Sequence, residues 1–358
     1  MLKLNNITAT SFAFCVFWPS IAQAIGLSYS SVAFVYLFSL ICLLIINDLR
    51  ITINKKLIFL FLFFIFNILF QSNINTSIIV LTLTMFILLQ WKITNKQIDI
   101  FLNAILFVST IISMLIIIER LGLSLTYSFN KNYISSSYVQ LIGTIIVTHR
   151  IFGEKFNILN LTLLLINLFG LLTNYSRGAF IIYLIVVFLY LCHHILFFIR
   201  TSKIKKRVLA LMGTLIICSP IIFFTFINNS NLDRYYRVFN NFSDGESRVI
   251  TWLYSIEVIQ SIGFLGLGVG GFKEFHKLGH PHNIYLLLME DFGIFFGASL
   301  GVFLTIMFIN SIYRLLNSHS ILSMLYVALF IRLQFSGVVY FDFMFIFLLY
   351  AYFNKNLN

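Results

Sequence analysis

The chain has 358 residues, of which 60% are hydrophobic and 10% are charged, and it contains 42 Phe. Only about half of the residues of a soluble domain are apolar, so this composition excludes an ordinary soluble globular fold. The net charge of +12 would suit a nucleic-acid-binding protein. The basic residues, however, lie in short segments between apolar runs, as they do in membrane proteins. We therefore expect no nucleic-acid partner.

Apolar runs of about 17–25 residues recur along the chain, and each is long enough to cross the core of a bilayer. They are too long and too little alternating for barrel strands. We therefore predict an all-α polytopic membrane protein with about 12 transmembrane helices. The predicted spans are approximately 8–27, 29–47, 57–71, 76–91, 98–118, 134–148, 157–173, 179–199, 208–227, 284–308, 320–336 and 338–353.

The distribution of basic residues predicts the orientation of these spans. With the N-terminus inside, the inner segments hold 15 of the 24 basic residues, and the short outer loops hold 3. Because Lys and Arg concentrate in cytoplasmic loops, both termini are predicted to be cytoplasmic. Lys3, the apolar stretch after it and Ala22-Gln23-Ala24 imitate a signal peptide. We expect this segment to remain as the first span.

The predicted spans divide the chain into three parts. Residues 1–227 carry nine spans, residues 228–283 form one long outer loop, and residues 284–358 carry the last three spans. Long loops in compact proteins are usually either functional or disordered. The composition of this loop is not that of a disordered segment, so we expect it to be functional.

The long loop contains one stretch with helical periodicity, RVITWLYSIEVIQSI at 248–262. We assign Thr251, Ser255 and Gln260 to its polar side. Its apolar residues fall at positions 249, 252, 253, 256 and 259. The pattern predicts an amphipathic helix that lies on the membrane surface or over the bundle.

Arginines on the outer side are candidate ligands for an anion. Arg177 lies in TNYSRGAF, within a very short outer loop, and Arg248 begins the amphipathic helix. A guanidinium group matches the oxygens of a phosphate bidentately. Alternatively, Arg177 anchors a helix end, and Arg248 pairs with Glu246 or Glu257. Arg237, also in the long loop, is a further candidate.

Polar residues also cluster in HPHNIYLLLMED, where the long loop meets the tenth span. His282, followed by Asn283, is the candidate base, because histidine accepts a proton near neutral pH. His280 could replace it, and an interfacial role without chemistry is the alternative. Glu290 follows eight residues later on a similar helical face. It is expected either to orient a polar network or to pair with an arginine.

Neither a metal nor a nucleotide is expected at this site. No His, Asp or Glu cluster has metal-ligand spacing, and the four cysteines lie within apolar runs. The glycine-rich GFLGLGVGGF has no strand before it and no Lys-Ser or Lys-Thr after it, so it is not a nucleotide loop. We expect it to form a close-packed turn beside a substrate, and we predict no cofactor.

Three elements stand in order around the long loop: YSRGAF; ESRVITW followed by GFLGLGVGGF; and HPHNIYLLLMEDFGIFFG. Together they resemble the O-antigen ligase/polymerase superfamily of bacterial envelope glycosyltransferases, over about residues 165–310. The resemblance implies a bundle of the GT-C type in the bacterial inner membrane, with its active site on the periplasmic side. It also implies a donor glycan carried on undecaprenyl diphosphate.

The resemblance implies roles for three residues. Arg177 and Arg248 would bind the diphosphate, and His282 would deprotonate the acceptor hydroxyl. Besides the lipid-linked glycan and the bilayer, the implied partners are a chain-length regulator and a flippase.

Two enzymes and one transporter fit these features. A polymerase joins lipid-linked repeat units, and a ligase transfers finished glycan to lipid A-core. The Ile-, Phe-, Asn- and Lys-rich composition indicates an AT-rich gene, which favours the polymerase, acting with inversion and without metal. A transporter of lipid-linked oligosaccharide is the third hypothesis. It is disfavoured because the chain shows no paired Gly or Pro breaks in two halves.

Overall fold

The structure, a computed structural model, describes residues 94–121, 133–153, 157–174, 177–201, 243–262, 266–268, 281–318 and 320–334. All regular elements within these ranges are α-helices, which confirms the predicted all-α class for the described part of the chain. In chain order they are α1 (Asn95–Arg120), α2 (Tyr133–Gly153), α3 (Ile158–Thr173), α4 (Arg177–Thr201), α5 (Ser243–Ile262), α6 (Ile284–Ser318) and α7 (Ile321–Leu333).

Helices α1 to α4 and α7 occupy the positions of predicted spans, and α6 begins where the tenth span was expected. Within the described ranges, two helices are long and apolar enough to cross a membrane, Asn95–Glu119 and Ile284–Asn317. The apolar helices α3 and α7 are shorter. The predicted spans before residue 92, at 208–227 and at 338–353 lie outside the described residues, as do most parts of the long loop.

Helix boundaries are set by capping residues that the sequence supplies. Thr94 begins α1 with a capping box, because its Oγ1 accepts from Gln97 N at 3.3 Å and its own N–H donates to Gln97 Oε1 at 2.9 Å. Asn157 caps α3 by accepting from Asn160 N, and Ser320 caps α7 by accepting from Ser323 N. Such caps satisfy amides that the first turn of a helix leaves without partners.

Helices α1, α2 and α3 pack together around a buried polar network centred on Asn167 of α3. Asn167 Oδ1 accepts from Ser109 at 2.5 Å and from Ser113 at 3.3 Å, and its Nδ2 donates to Thr110 at 2.9 Å. Gln140 of α2 extends the network by donating to Ser113 at 3.2 Å. In an apolar surrounding, such hydrogen bonds hold helices together that the hydrophobic effect alone would not.

Two glycines allow these three helices to approach closely. A Cβ atom on Gly143 would lie 2.0 Å from Ser109 Oγ, and one on Gly170 would lie 2.6 Å from Ser113 Cβ. Both sites therefore exclude any side chain. Small residues at helix contacts with hydrogen bonds across them are typical of helices that pack within a membrane.

Helix α6 is broken at Gly293, whose φ of 80° and ψ of 166° are not helical. The tenth span, predicted as one segment at 284–308, is therefore interrupted. The break divides α6 into a first arm, residues 284–292, and a second arm, residues 294–318. A conformation with positive φ is accessible to glycine at little cost, and no other residue type adopts it so readily.

The first arm folds back along the second arm as an antiparallel hairpin. Tyr285 Oη lies 2.7 Å from Thr305 Oγ1, although a straight helix would separate these residues by about 30 Å. A Cβ atom on Gly297 would lie 2.3 Å from the Leu288 carbonyl oxygen, so the two arms touch backbone to backbone there. Helices α4, α5 and α7 all pack against α6.

A short backbone latch closes the turn of the hairpin. Leu267 N–H donates to Glu290 O at 2.7 Å, and Gly268 N–H donates to Asp291 O at 2.9 Å. These bonds satisfy carbonyls at the end of the first arm that the break leaves without helical donors. Gly266 has a φ of 73°, and a Cβ atom there would lie 2.4 Å from Gly293 N.

We predict that Asn167→Leu destabilises the protein by about 2 kcal/mol, because it leaves the buried hydroxyls of Ser109, Ser113 and Thr110 without their shared partner. The measurement is the half-unfolding temperature in detergent, followed by size-exclusion chromatography. Thr162→Leu is the matched control, since Thr162 is exposed on the same helix and bonds only to Ile158 O. Equal effects of the two substitutions would contradict a structural role for the network.

We also predict that Gly266→Ala prevents stable folding, because the new methyl group meets backbone atoms that cannot rotate away. Gly178→Ala is the matched control: Gly178 lies in α4 with nothing within 4 Å of a Cβ atom. It should stabilise the protein by about 0.5–1 kcal/mol, since alanine favours helix. The yield of monodisperse protein and its half-unfolding temperature report both effects. If Gly266→Ala folds as well as the control, the latch is not built as described.

Candidate functional site

The motifs that stand apart in the sequence come together at the hairpin. The indole N–H of Trp252, in the ESRVITW motif on α5, donates to the Pro281 carbonyl oxygen at 2.6 Å. Residues 266–268, in the glycine-rich run, form the latch on the end of the first arm. The described parts of the second and third motifs therefore share one place, beside the first arm of α6.

His282 has a constrained backbone and an exposed side chain. Its φ of 49° is the only positive value among the non-glycine residues that the structure describes. This conformation is uncommon outside glycine, and such outliers concentrate at functional sites. Both neighbours are fixed, because Trp252 holds Pro281, and Asn283 caps the helix that follows. The fold thus presents the imidazole in a defined position.

Asn283 has a structural use for its side chain. Its Oδ1 accepts from Tyr285 N at 2.9 Å and from Leu286 N at 3.2 Å, and its carbonyl accepts from Leu287 N at 3.0 Å. Asn283 is therefore the N-cap of the first arm. The cap fixes where the helix begins, immediately after His282.

Glu290 is fully buried, and its neighbour is Ser255 of α5, which is fully buried too. The Ser255 hydroxyl lies beside the Glu290 carboxyl, but no hydrogen bond of ordinary geometry joins them, and neither group has another hydrogen-bond partner among the described residues. Burying such polar groups without hydrogen bonds costs stability. The fold therefore keeps a costly polar pair between α5 and the hairpin.

The shared helical face that we expected for His282 and Glu290 is not formed as expected. The helix begins at Ile284, so His282, with its left-handed backbone, does not continue the helical rotation. Glu290 makes no hydrogen bond to His282. The two residues instead face different surroundings, with His282 exposed and Glu290 enclosed by α5 and the latch.

Helix α5 is present where the amphipathic pattern predicted it. In its middle turns the polar residues Thr251 and Ser255 are buried at 7% and 0% exposure, whereas Leu253 and Ile256 are 58% and 42% exposed. Towards its C-terminal end the pattern differs, because Val258 and Ile259 are buried and Glu257 and Gln260 are exposed.

Two further candidates, Arg177 and Arg248, are described only by their backbones. Arg177 is the first residue of α4, and Arg248 lies in the second turn of α5. The turn before Arg177 is anchored, because Asn174 Nδ2 donates to Ser136 Oγ at 2.9 Å and to Gln140 Oε1 at 2.8 Å. The side chains of Arg177 and Arg248 lie outside the described residues.

Arg237 and His280 lie wholly outside the described residues. Within the described part of the chain, no group of three His, Cys, Asp or Glu side chains could hold a metal ion.

Sequence reasoning missed the roles of Trp252, Ser255 and Pro281. Thr251 and Ser255 were predicted only to lie on the polar side of an amphipathic helix. Their spacing of four residues places both on one face of a helix. This spacing could have identified them as partners of Glu290, because a carboxyl within an apolar stretch needs a polar neighbour. The contact between Trp252 and Pro281 has no signal in the sequence.

In comparisons with protein family models, curated proteins and solved structures, none matches this chain. The resemblance to the O-antigen ligase/polymerase superfamily therefore remains a prediction from the three sequence motifs.

We predict that Glu290→Gln folds at least as stably as the original protein and impairs function. An amide has the same shape, carries no charge that burial would penalise, and can bond with Ser255. The half-unfolding temperature in detergent should stay equal or rise. Function is measured by the ability of the variant to replace the original protein in a deletion strain, and Glu257→Gln, an exposed change on α5, is the control for both measurements. A fall in stability with Glu290→Gln alone would show that the carboxylate itself supports the fold.

Proposed function

We propose that the protein is a glycosyltransferase of the bacterial inner membrane that polymerises lipid-linked repeat units of a surface polysaccharide. The observation that supports this proposal is the convergence at the hairpin: Trp252 of the second motif holds the backbone beside His282 of the third. A motif set that resembles a transferase family thus includes residues that touch each other across the fold. The all-helical architecture and the two apolar helices of sufficient length fit a membrane enzyme.

The proposed reaction needs one base and one anion site. The acceptor hydroxyl attacks the anomeric carbon of the donor sugar, the bond from that carbon to the diphosphate oxygen breaks, and undecaprenyl diphosphate leaves. His282 takes the hydroxyl proton, and Arg177 and Arg248 bind the departing diphosphate. Direct displacement inverts the anomeric configuration. In this scheme neither a metal nor a nucleotide sugar takes part, because the diphosphate is already a good leaving group.

The proposed setting follows the charge distribution. Basic residues concentrate on one side of the predicted spans, so the long loop, and with it His282, would face the periplasm. Both termini would be cytoplasmic. A flippase would deliver the lipid-linked glycan to that face, and a chain-length regulator is the expected protein partner.

A ligase would use the same site with a different acceptor, lipid A-core instead of a second lipid-linked glycan. The geometry around His282 is compatible with both reactions. The polymerase is the main proposal on the composition of the chain, and the ligase is the alternative.

The break at Gly293 gives weight to a third function, transport of a lipid-linked oligosaccharide. Transporters commonly place discontinuous helices at their substrate site, and α6 is discontinuous. Purified protein in liposomes separates the two classes. An enzyme forms a new glycosidic bond without a second compartment, whereas a transporter moves the lipid-linked glycan across the bilayer unchanged.

We predict that Arg177→Ala, Arg248→Ala and His282→Asn each abolish the polysaccharide ladder when they complement a deletion strain. Asparagine tolerates the left-handed backbone of residue 282 but cannot act as a base, so the rate should fall about 100-fold or more. Gel electrophoresis of lipopolysaccharide reports the result. Glu257→Ala, exposed on α5, is the control at matched expression.

The deletion strain also distinguishes the enzymes. Core carrying a single repeat unit indicates the polymerase, and bare core with glycan accumulating on the lipid carrier indicates the ligase. A full ladder from all three variants would refute the assigned site.

A further inference from the structure

The second arm of α6 is long enough to serve as a reference for depth in the membrane. Its 25 residues, 294–318, extend about 37 Å, slightly more than the 30 Å core of a bilayer. Large apolar side chains are exposed along its outward face: Phe295 at 64%, Val302 at 60%, Ile306 at 53% and Ile309 at 59%. Arg314 follows close to its end. The arm therefore has the length and the outward surface of a helix that crosses the bilayer from the Gly293 turn to Ser318.

The first arm runs back along this helix to its middle. A Cβ atom on Gly301 would lie 2.9 Å from Tyr285 Cδ1, and Tyr285 Oη reaches Thr305. Residues 301 to 305 lie about 12 to 18 Å from the turn along the helix axis. His282 is three residues before Tyr285, farther from the turn. The backbone of residues 281–283 is therefore level with the middle of the second arm.

Helix α5 gives a second, independent indication that this level lies within lipid. Around Trp252 its polar residues Thr251 and Ser255 face the protein, and its apolar residues Ile250 and Leu253 face outward. Nearer its C-terminal end the exposed residues Glu257 and Gln260 are polar. Trp252 bonds to Pro281, so the apolar part of α5 passes the 281–283 turn at the same height. At that level, an apolar outward side beside a polar inward side indicates lipid rather than water.

We propose that residues 281–283 lie near the middle of the bilayer, at the bottom of an aqueous vestibule that opens outward, and that the saccharide head of a membrane ligand reaches down to His282 there. The exposed imidazole of His282 then meets water in the vestibule rather than lipid. A non-helical turn is tolerated at this depth only where it is enclosed by protein or lines a water-filled cavity. The inference rests on the membrane insertion proposed above, but not on the enzymatic activity.

This depth limits which ligands the site accepts. A hydroxyl that reacts at His282 has to be carried on a flexible head that enters the membrane by about half its thickness, or roughly 15 Å. A saccharide on a lipid carrier reaches such a site from the bilayer itself. A folded protein acceptor would not fit into a vestibule of that depth, so the site favours hydroxyl-rich lipid-linked substrates.

Spin labels on single cysteines test the depth. The full chain, with Cys15, Cys42, Cys192 and Cys218 replaced by serine, would be labelled in liposomes at one site at a time. Four labelled positions along the exposed face of the second arm serve as a ruler for depth: Phe295→Cys, Val302→Cys, Ile306→Cys and Tyr313→Cys. Leu253→Cys, adjacent to Trp252 and 58% exposed, reports the height of the 281–283 turn without touching it.

The depth of each label follows from the ratio of its collisions with oxygen to its collisions with a polar nickel complex. We expect this ratio to be highest at Val302→Cys and Ile306→Cys and lower at both ends of the ruler. Leu253→Cys should match the two central positions. If Leu253→Cys instead matches Phe295→Cys or Tyr313→Cys, the turn lies at the membrane surface and the inference is overturned. A ruler with no depth gradient would refute both this inference and membrane insertion.

A label at His282→Cys tests the vestibule. We expect frequent collisions with the nickel complex at His282→Cys and few at Leu253→Cys, although both labels lie at one height. Few nickel collisions at both positions would show that no water reaches the turn. Neither result depends on catalysis. The two proposals can fail separately. If the Arg177, Arg248 and His282 variants lose the polysaccharide ladder but Leu253→Cys reports a surface depth, the proposed enzyme stands and only this inference is overturned.

Discussion

The termination of a helix in the buried interior of the protein is the constraint on which the rest of this structure depends. At Gly293 the first arm of α6 stops, and its last carbonyls lose their helical donors. Because these residues are buried, such carbonyls need other partners. The amides of Leu267 and Gly268 supply them for Glu290 and Asp291. A Cβ atom at Gly266 would lie 2.4 Å from Gly293 N, so the latch requires glycine at position 266.

The fold-back sets the position of every candidate residue near the hairpin. Contact between Gly297 and the backbone of Leu288 holds the arms together, and α5 then packs against the first arm. His282 is fixed between a hydrogen-bonded Pro281 and the cap Asn283. Its strained backbone is held by these neighbours. Strain of about 1–3 kcal/mol persists only where the surroundings determine it fully, as they do here.

The helices themselves were predictable from the sequence, because long apolar runs and caps such as Thr94 and Ser320 are local signals. The break in α6 was not predicted. A single glycine in DFGIFFG scarcely changes the average hydropathy, and only contacts far along the chain, such as that of Tyr285 with Thr305, reveal the fold-back. The burial of Ser255 of α5 beside Glu290 was also not predicted, because it depends on a contact between distant parts of the chain.

For the candidate site, sequence reasoning identified residue types and not their surroundings. The importance of His282 was inferred from its chemistry, and its left-handed backbone adds an independent reason to expect function. Glu290 was expected to face His282 by helical phase, but the helix does not extend to residue 282. Its actual neighbour, Ser255, lies 35 positions earlier in the chain, and no local pattern joins residues so far apart.

The fold-back of α6 is tested most directly by a pair of cysteines, Tyr285→Cys and Gly301→Cys, in a chain whose four native cysteines are serine. Mild oxidation of membranes is followed by a gel-shift assay with maleimide-polyethylene glycol. The hairpin predicts a disulfide that protects both residues, whereas Tyr285→Cys with the outward-facing Val302→Cys stays reactive. If the first pair also remains fully reactive, about 24 Å apart as in a continuous helix, the hairpin does not form and the account fails.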